Sequence, residues 1–233
     1  MNVEQTMEML DGERAEKLFA ELYGADQTEE QKVRYRELLN GYRDKFGDGE
    51  VRLFSSPGRT EISGNHTDHN HGKVLAGSIN LDCVGVAAMN HSSKVNIVSV
   101  TFGQEFTIDL NNLAPSRRKA GTEDLVKGLL KGFQESGYEV GGFNAYITSN
   151  VISAAGVSSS AAFEMLLCSM INTFFNDGRM STVAYAHIGK YAENHYWDKA
   201  SGLLDQMACA VGGLITIDFM EPSDPKVEKI DFD

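Results

Sequence analysis

Phe143-Asn144-Ala145-Tyr146-Ile147-Thr148-Ser149-Asn150-Val151 runs through Ile152-Ser153 into Ala154-Ala155-Gly156-Val157-Ser158-Ser159-Ser160-Ala161-Ala162-Phe163-Glu164. Alternating apolar residues in the first part predict a strand over 143–151, and the long apolar run after the serines predicts a helix over 158–175. The turn between them is built of small residues. Such a turn lets backbone N–H groups come close to an anion, and the helix that follows adds the partial positive charge of its N-terminus. Ser158, Ser159 and Ser160 add hydroxyl donors, and a serine in that place can ligate Mg²⁺. The plainer reading is that Ser158 caps the helix. Three serines after a small-residue turn exceed what capping needs. The pattern lacks the Gly-Lys-Ser/Thr of a Walker loop and is no dinucleotide fingerprint.

Working outward, the same periodicities predict strands over 51–55, over 73–89 (one strand or two) and over 143–151, with a meander of 94–102 and 106–110. Leu125, Val126, Leu129, Leu130 and Phe133 share one face of a helix over 121–137. Further helices are expected over 181–195 and 205–211, then a strand over 214–220 and a partner over 226–233. Residues 1–48 read as helical, with Thr28 as a candidate N-cap. The expected class is α+β: a mixed sheet with packed helices, organised as a helical extension (1–48) and one domain (49–233). The chain stops directly after its last expected strand, which reads as the N-terminal part of a longer protein.

The net charge is −12 and the pI near 4.9. Non-specific nucleic-acid binders are normally basic, so that class is disfavoured. Cys83, Cys168 and Cys209 are odd in number, far apart and set in apolar surroundings, as expected of buried free thiols in a reducing compartment. No charged start precedes an apolar segment at the N-terminus, and no run of about 18 apolar residues occurs. A cytoplasmic protein is expected.

Two further segments carry chemistry. Residues 56–72, expected as a loop, include Arg59, Asn65, His66, Asp68, His69 and His71. Their side chains suit a polyol, with Asp68 accepting from hydroxyls, His66 donating or accepting, and Arg59 reaching a transferred phosphate. Four of them could instead ligate zinc or iron. A solvated turn whose Asp and Asn bond their own backbone is equally compatible. In the second segment Glu193 closes a helix and Asp205 follows Ser201-Gly202-Leu203-Leu204. A carboxylate beside a glycine turn can approach a substrate hydroxyl. Taken alone, Asp205 is more simply a helix N-terminal residue favoured by the dipole.

Together the three segments resemble the galactokinases, within the GHMP family of small-molecule kinases. Gly58, Arg59, Gly64, His66, Thr67, Asp68, Asn70 and Gly72 match the signature Gly-Arg-x-Asn-Leu-Ile-Gly-Glu-His-Thr-Asp-Tyr-Asn-x-Gly. Gly156, Ser158, Ser159, Ser160 and Ala161 match the phosphate motif, and Ala192-Glu193 with Gly202-Leu203-Leu204-Asp205-Gln206 is similar to the segment bearing the catalytic aspartate. The resemblance implies the N-terminal two-layer domain of GHMP kinases and transfer of the ATP γ-phosphate to the anomeric hydroxyl of galactose, with Mg²⁺. It implies Arg59 stabilising the moving phosphoryl group and Asp205 as base or electrostatic anchor. Asn65, His66, Asp68 and Gly202 would line the sugar. Residues 155–161 (Ala155, Gly156, Val157, Ser158, Ser159, Ser160, Ala161) would cradle the phosphates, and Ser160 and Glu193 would hold Mg²⁺. Asn65 stands where the family has glutamate and His69 where it has tyrosine, which leaves a uronic acid or N-acetylgalactosamine as alternative substrates. A non-catalytic galactose sensor is a further alternative, disfavoured by the presence of Arg59 and Asp205. The family's third, glycine-rich motif is not found in these residues.

Overall fold

A computed structural model describes residues 1–116, 121–153, 155–197 and 199–231. Ala154 of the serine-rich turn and residues 232–233 of the last expected strand lie outside them. The sheet is organised around one 17-residue strand, β2 (Lys73–Met89). Along one side β2 pairs antiparallel with β1 (Arg52–Ser63). Along the other it pairs with two strands in succession: β5 (Phe143–Ser149) against Cys83–Met89 and β6 (Leu214–Asp218) against Lys73–Gly77. Beyond β5 lie β3 (Lys94–Ser99), parallel to it, and then β4 (Gln104–Asp109), antiparallel to β3; β7 (Lys226–Lys229) pairs with β6. The sheet is therefore mixed, as expected.

The expected loop from Ser56 starts at Gly64 instead. The ladder to β2 continues through Arg59↔Ser78, Thr60↔Gly77 and Glu61↔Ala76. Polar side chains disguised a strand, because one of its edges faces a site and not the core. Pro57 sits at a register shift, where a missing N–H breaks no regular ladder bond. Thr28 is also not an N-cap: Gln27 holds that position after a short 3₁₀ turn, and Thr28 is the first, buried residue of the helix.

Side chains alternate across β2 and so build two cores. Cys83 and Ala87 face the helices α4 (Thr122–Glu135) and α5 (Ser159–Phe175), where Phe133, Phe143, Ile147, Leu166 and Met170 are buried. Val84, Val86 and Ala88 face the opposite way, against α1 (Val3–Met9), α2 (Glu13–Tyr23) and α3 (Thr28–Phe46). The N-terminal helices thus add a third layer to the two-layer arrangement. Asp82, buried in β2, clips them on: it accepts from Tyr23 Oη (2.6 Å), Arg34 Nη1 (2.7 Å) and Ser55 Oγ (2.5 Å). Desolvation of the same cluster pushes the Tyr35 phenol up to about 12. A third core packs α7 (Leu204–Val211) on Val74, Ala76, Ile215 and Ile217, with α6 (Thr182–Tyr196) beside it. The three cysteines are free and buried. Among the described residues no helix is long and apolar enough to cross a membrane.

Candidate active site

Four elements meet at one place: the C-terminal half of β1, the turn before α5, the end of α6 and the start of α7. Arg59, on β1 and 5% exposed, donates from Nε (2.9 Å) and Nη2 (2.6 Å) to Asp205 Oδ1, and from Nη1 to the carbonyl of Gly156. Ser158 Oγ lies 2.6 Å from the other oxygen, Asp205 Oδ2. Sequence reading left Ser158 open between cap and site. The structure decides the geometry: Ser158 has φ +59°, its side chain makes no capping bond, and its hydroxyl turns to Asp205. A non-glycine residue in the left-handed region carries local strain, and such strain collects at functional sites. Gly58 allows the close approach. A Cβ there would lie 2.8 Å from the Val157 carbonyl, which accepts from the Arg59 amide at 3.2 Å.

Within the turn, Ala155 and Gly156 are exposed, Gly156 with φ +73°. Ser159 and Ser160 open α5, while Ala161 is fully buried. Ser160 Oγ is 3.0 Å from Glu193 Oε1. Glu193 is 1% exposed and also receives Lys199 Nζ (2.6 Å), Gln206 Nε2 (3.0 Å) and the Ser201 hydroxyl. Next to it Glu164 is fully buried. Burial, and then the charge of Glu193, push its carboxyl well above the ordinary range and favour its protonated form.

The histidine-rich loop does not gather its ligand-type side chains. His66, in the left-handed region, is held by Glu61, with its Nδ1 2.9 Å from Glu61 Oε2 and its N–H donating to Oε1 at 2.9 Å. His71 Nδ1 lies 3.0 Å from the Met220 carbonyl oxygen. Asp68 turns inward: its Oδ2 accepts from the amides of Leu203 (2.8 Å) and Leu204 (3.1 Å), and its Oδ1 faces His69. Burial opposes the anion, yet the Leu204, Leu203 and His69 donors outweigh it and hold the carboxyl below its ordinary range. No group of three or more His, Cys, Asp and Glu that could hold a metal ion occurs among the described residues. Gly202 packs directly on Asp68, where a Cβ would fall 1.7 Å from Oδ2. Asn65 and His66 remain exposed.

Sequence reading missed a cavity of about 310 Å³ beside the serines, walled by Phe102, Leu125, Phe163 and Trp197, with Ser159 and Ser160 at its polar end. Phe102 was expected to close a strand over 94–102, but that strand ends at Ser99 and Phe102 lies in the turn after it; Trp197 lies just past α6, where no periodicity marks it. Their only signal was large aromatic rings in otherwise polar segments. Glu61, which orients His66, stands where the galactokinase signature has asparagine and was not singled out.

With this geometry in view, comparison with known proteins is direct. Residues 40–89 match the galactokinase galactose-binding signature and residues 124–213 the GHMP kinase N-terminal domain. The chain is 34% identical over 176 residues to the galactokinase of Clostridium tetani, spanning 76% of this chain and 45% of that protein. It is 33% identical over 196 residues to that of Lactobacillus helveticus, spanning 82% and 50%. The crystal structure of Lactococcus lactis galactokinase complexed with galactose aligns with a TM-score of 0.76 at 28% identity, over 85% of this chain and 52% of that one. Mevalonate kinase from Methanococcus jannaschii, at 16% identity and a TM-score of 0.62 (79% and 57% covered), shares the fold. The chain spans about half the length of these relatives. The chain has the fold of a GHMP kinase N-terminal domain and is similar to the galactokinases over about half of their length.

Proposed function

We propose that this chain is the sugar- and phosphate-binding part of an ATP-dependent sugar 1-kinase that phosphorylates galactose at its anomeric hydroxyl. The observation that carries the reading is Asp205, held between Arg59 and Ser158 at the mouth of the serine-lined turn. In the reaction the anomeric oxygen bonds to the γ-phosphorus, the bond from phosphorus to the β,γ-bridging oxygen breaks, and the hydroxyl proton passes to a free lone pair of Asp205. Arg59 fixes the Asp205 side chain in place through two N–H bonds and offers its positive charge to the phosphoryl group. Phosphoryl transfer is largely positioning and electrostatics, and this pair supplies both. The backbone of 155–158 and the start of α5 would cradle the phosphates. The apolar cavity of Phe102 and Trp197 would take the nucleobase. Asn65, His66 and Gly202 would meet the sugar together with Asp68.

Ser160 and Glu193 offer the hard oxygen ligands that Mg²⁺ prefers. That Glu193 already draws an ammonium toward Ser160 supports a cation there. Bound Mg²⁺ would neutralise charge on the β- and γ-phosphates. Residues 49–233 would form the kinase domain, braced by the 1–48 helices. ATP as substrate and unpaired, buried cysteines favour the cytoplasm.

The test is a panel of galactose, glucose, galacturonic acid and N-acetylgalactosamine with ATP and Mg²⁺, reading ADP release and, by ³¹P NMR, the position of the new phosphate. It is run on this chain and on a form extended to the length of the relatives. Galactose 1-phosphate from the extended form is expected, lost in Asp205→Asn. ADP release unchanged in Asp205→Asn would remove the assignment.

A further inference from the structure

Lys199 stands between the two side chains assigned above to the divalent ion. Its Nζ is 2.6 Å from Glu193 Oε1 and 3.3 Å from Ser160 Oγ, and those two oxygens are 3.0 Å apart. The other groups bonded to Glu193 are neutral donors, Gln206 on Oε2 and the Ser201 hydroxyl. Among the described residues Lys199 is thus the one cation that pairs with this carboxylate. The two partners differ sharply in exposure: Glu193 is 1% exposed at its side chain, Lys199 45%. The carboxylate is fixed and the ammonium reaches in from solvent. On its way the Nζ passes 5.6 Å from the centre of the Trp197 ring, which walls the apolar cavity. A buried carboxylate stripped of its cation is costly, so the ammonium satisfies a charge that the fold creates.

Resting on the reading that Ser160 and Glu193 hold the metal, we propose that Lys199 is an internal stand-in cation, which a divalent ion must displace before it can bind. The Glu193 Oε1 lone pairs and the Ser160 oxygen cannot serve a metal at its short bond lengths while the ammonium sits against both of them. Lys199 therefore weakens metal binding, and its departure changes the surroundings of Trp197 at the cavity wall.

Trp197 is the only tryptophan of the chain, so its fluorescence reports on this place alone. The probe is Mn²⁺, titrated with a saturating non-hydrolysable ATP analogue, read by quenching of Trp197 and by the loss of the free Mn²⁺ electron-paramagnetic signal. The chains compared are wild type, Lys199→Met, Glu193→Gln and Lys190→Met. The last removes the same charge from a lysine on α6 that lines a different depression with His187 and His195. Lys199→Met is expected to bind Mn²⁺ about tenfold more tightly than wild type, equivalent to about 1.4 kcal/mol. Lys190→Met should match wild type, and Glu193→Gln should lose binding. Equal or weaker binding by Lys199→Met overturns the proposal, as does an equal gain in Lys190→Met, which would be a plain charge effect. Mn²⁺ binding that survives Glu193→Gln, or no binding in any chain, removes the metal assignment itself and the proposal with it.

Discussion

The Arg59–Asp205 pair can be measured without any turnover. Arg59→Met and Asp205→Asn, made singly and together, form a double-mutant cycle read by urea unfolding, with circular dichroism and Trp197 fluorescence as probes. Two N–H groups converge on one oxygen at 2.9 and 2.6 Å. At an effective dielectric of about 20, unit charges ~4 Å apart attract by about 4 kcal/mol. Two effects reduce this. Asp205 is 29% exposed at its side chain, so solvent screens part of the attraction; Arg59 is 6% exposed, so its desolvation offsets more of it. A coupling energy of about 2–3 kcal/mol remains after those deductions. For a chain of this size that is a coupling of several degrees in Tm, at roughly 2–4 °C per kcal/mol. The Gly156 carbonyl bond drops out of the cycle, because it is lost with Arg59 whichever residue stands at 205. Additivity within about 0.5 kcal/mol, the behaviour of distant sites, would refute the pairing and with it the claim that Asp205 is held as a positioned anion.

Two further outcomes are expected. Asp82→Ala leaves the Arg34 guanidinium and the Tyr23 hydroxyl without their buried acceptor, and should destabilise the fold by about 3–5 kcal/mol in urea unfolding; a loss below about 1 kcal/mol would mean that the N-terminal helices are not clipped through this residue. Glu164→Gln tests the neutral carboxyl. Because the folded form keeps a proton that the unfolded chain releases above about pH 4.3, stability of the parent falls as pH rises from there. The glutamine variant should lack that slope and gain on the parent as pH rises above about 4.3, at up to about 1.4 kcal/mol per pH unit; parallel pH profiles for the two proteins would show that burial does not raise the Glu164 carboxyl.

What the sequence revealed follows from where periodicity survives. β5, the serine turn and α5 were legible because a strand fully buried at every second residue leaves a clean alternation and the helix packed on it is apolar almost throughout. β1 was half hidden. From Arg59 onward its side chains serve the site and the solvent, so Arg59, Glu61 and Ser63 read as loop although their backbone is fully laddered. Asp82 was invisible for the opposite reason: one carboxylate inside the apolar run of β2 looks like an interruption until Arg34 and Tyr23 are brought to it from helices about 50 residues away. Arg59, Ser158 and Asp205 each had a bland local explanation. Only their convergence sets the bland explanations aside, and convergence is a property of the fold.

The same logic explains why three histidines and an aspartate in one loop form no cluster of metal ligands among the described residues. A carboxylate has roughly four lone-pair positions. Asp68 gives two to the amides of Leu203 and Leu204, 135 and 136 residues along the chain, and its other oxygen faces His69. It is thereby a pin between the signature loop and the turn that delivers Asp205. Gly202 is required beside it because no Cβ fits against that oxygen. A sugar hydroxyl that reached Asp68 would compete with His69 and leave the Leu203 and Leu204 bonds in place. If a sugar bound at this loop as proposed, its binding and the placement of Asp205 would be coupled through one side chain, because Asp68 also holds the amides at the start of α7. That coupling would require a carboxylate at position 68, one oxygen staying on the Leu203 and Leu204 amides while the other turns from His69 to the sugar.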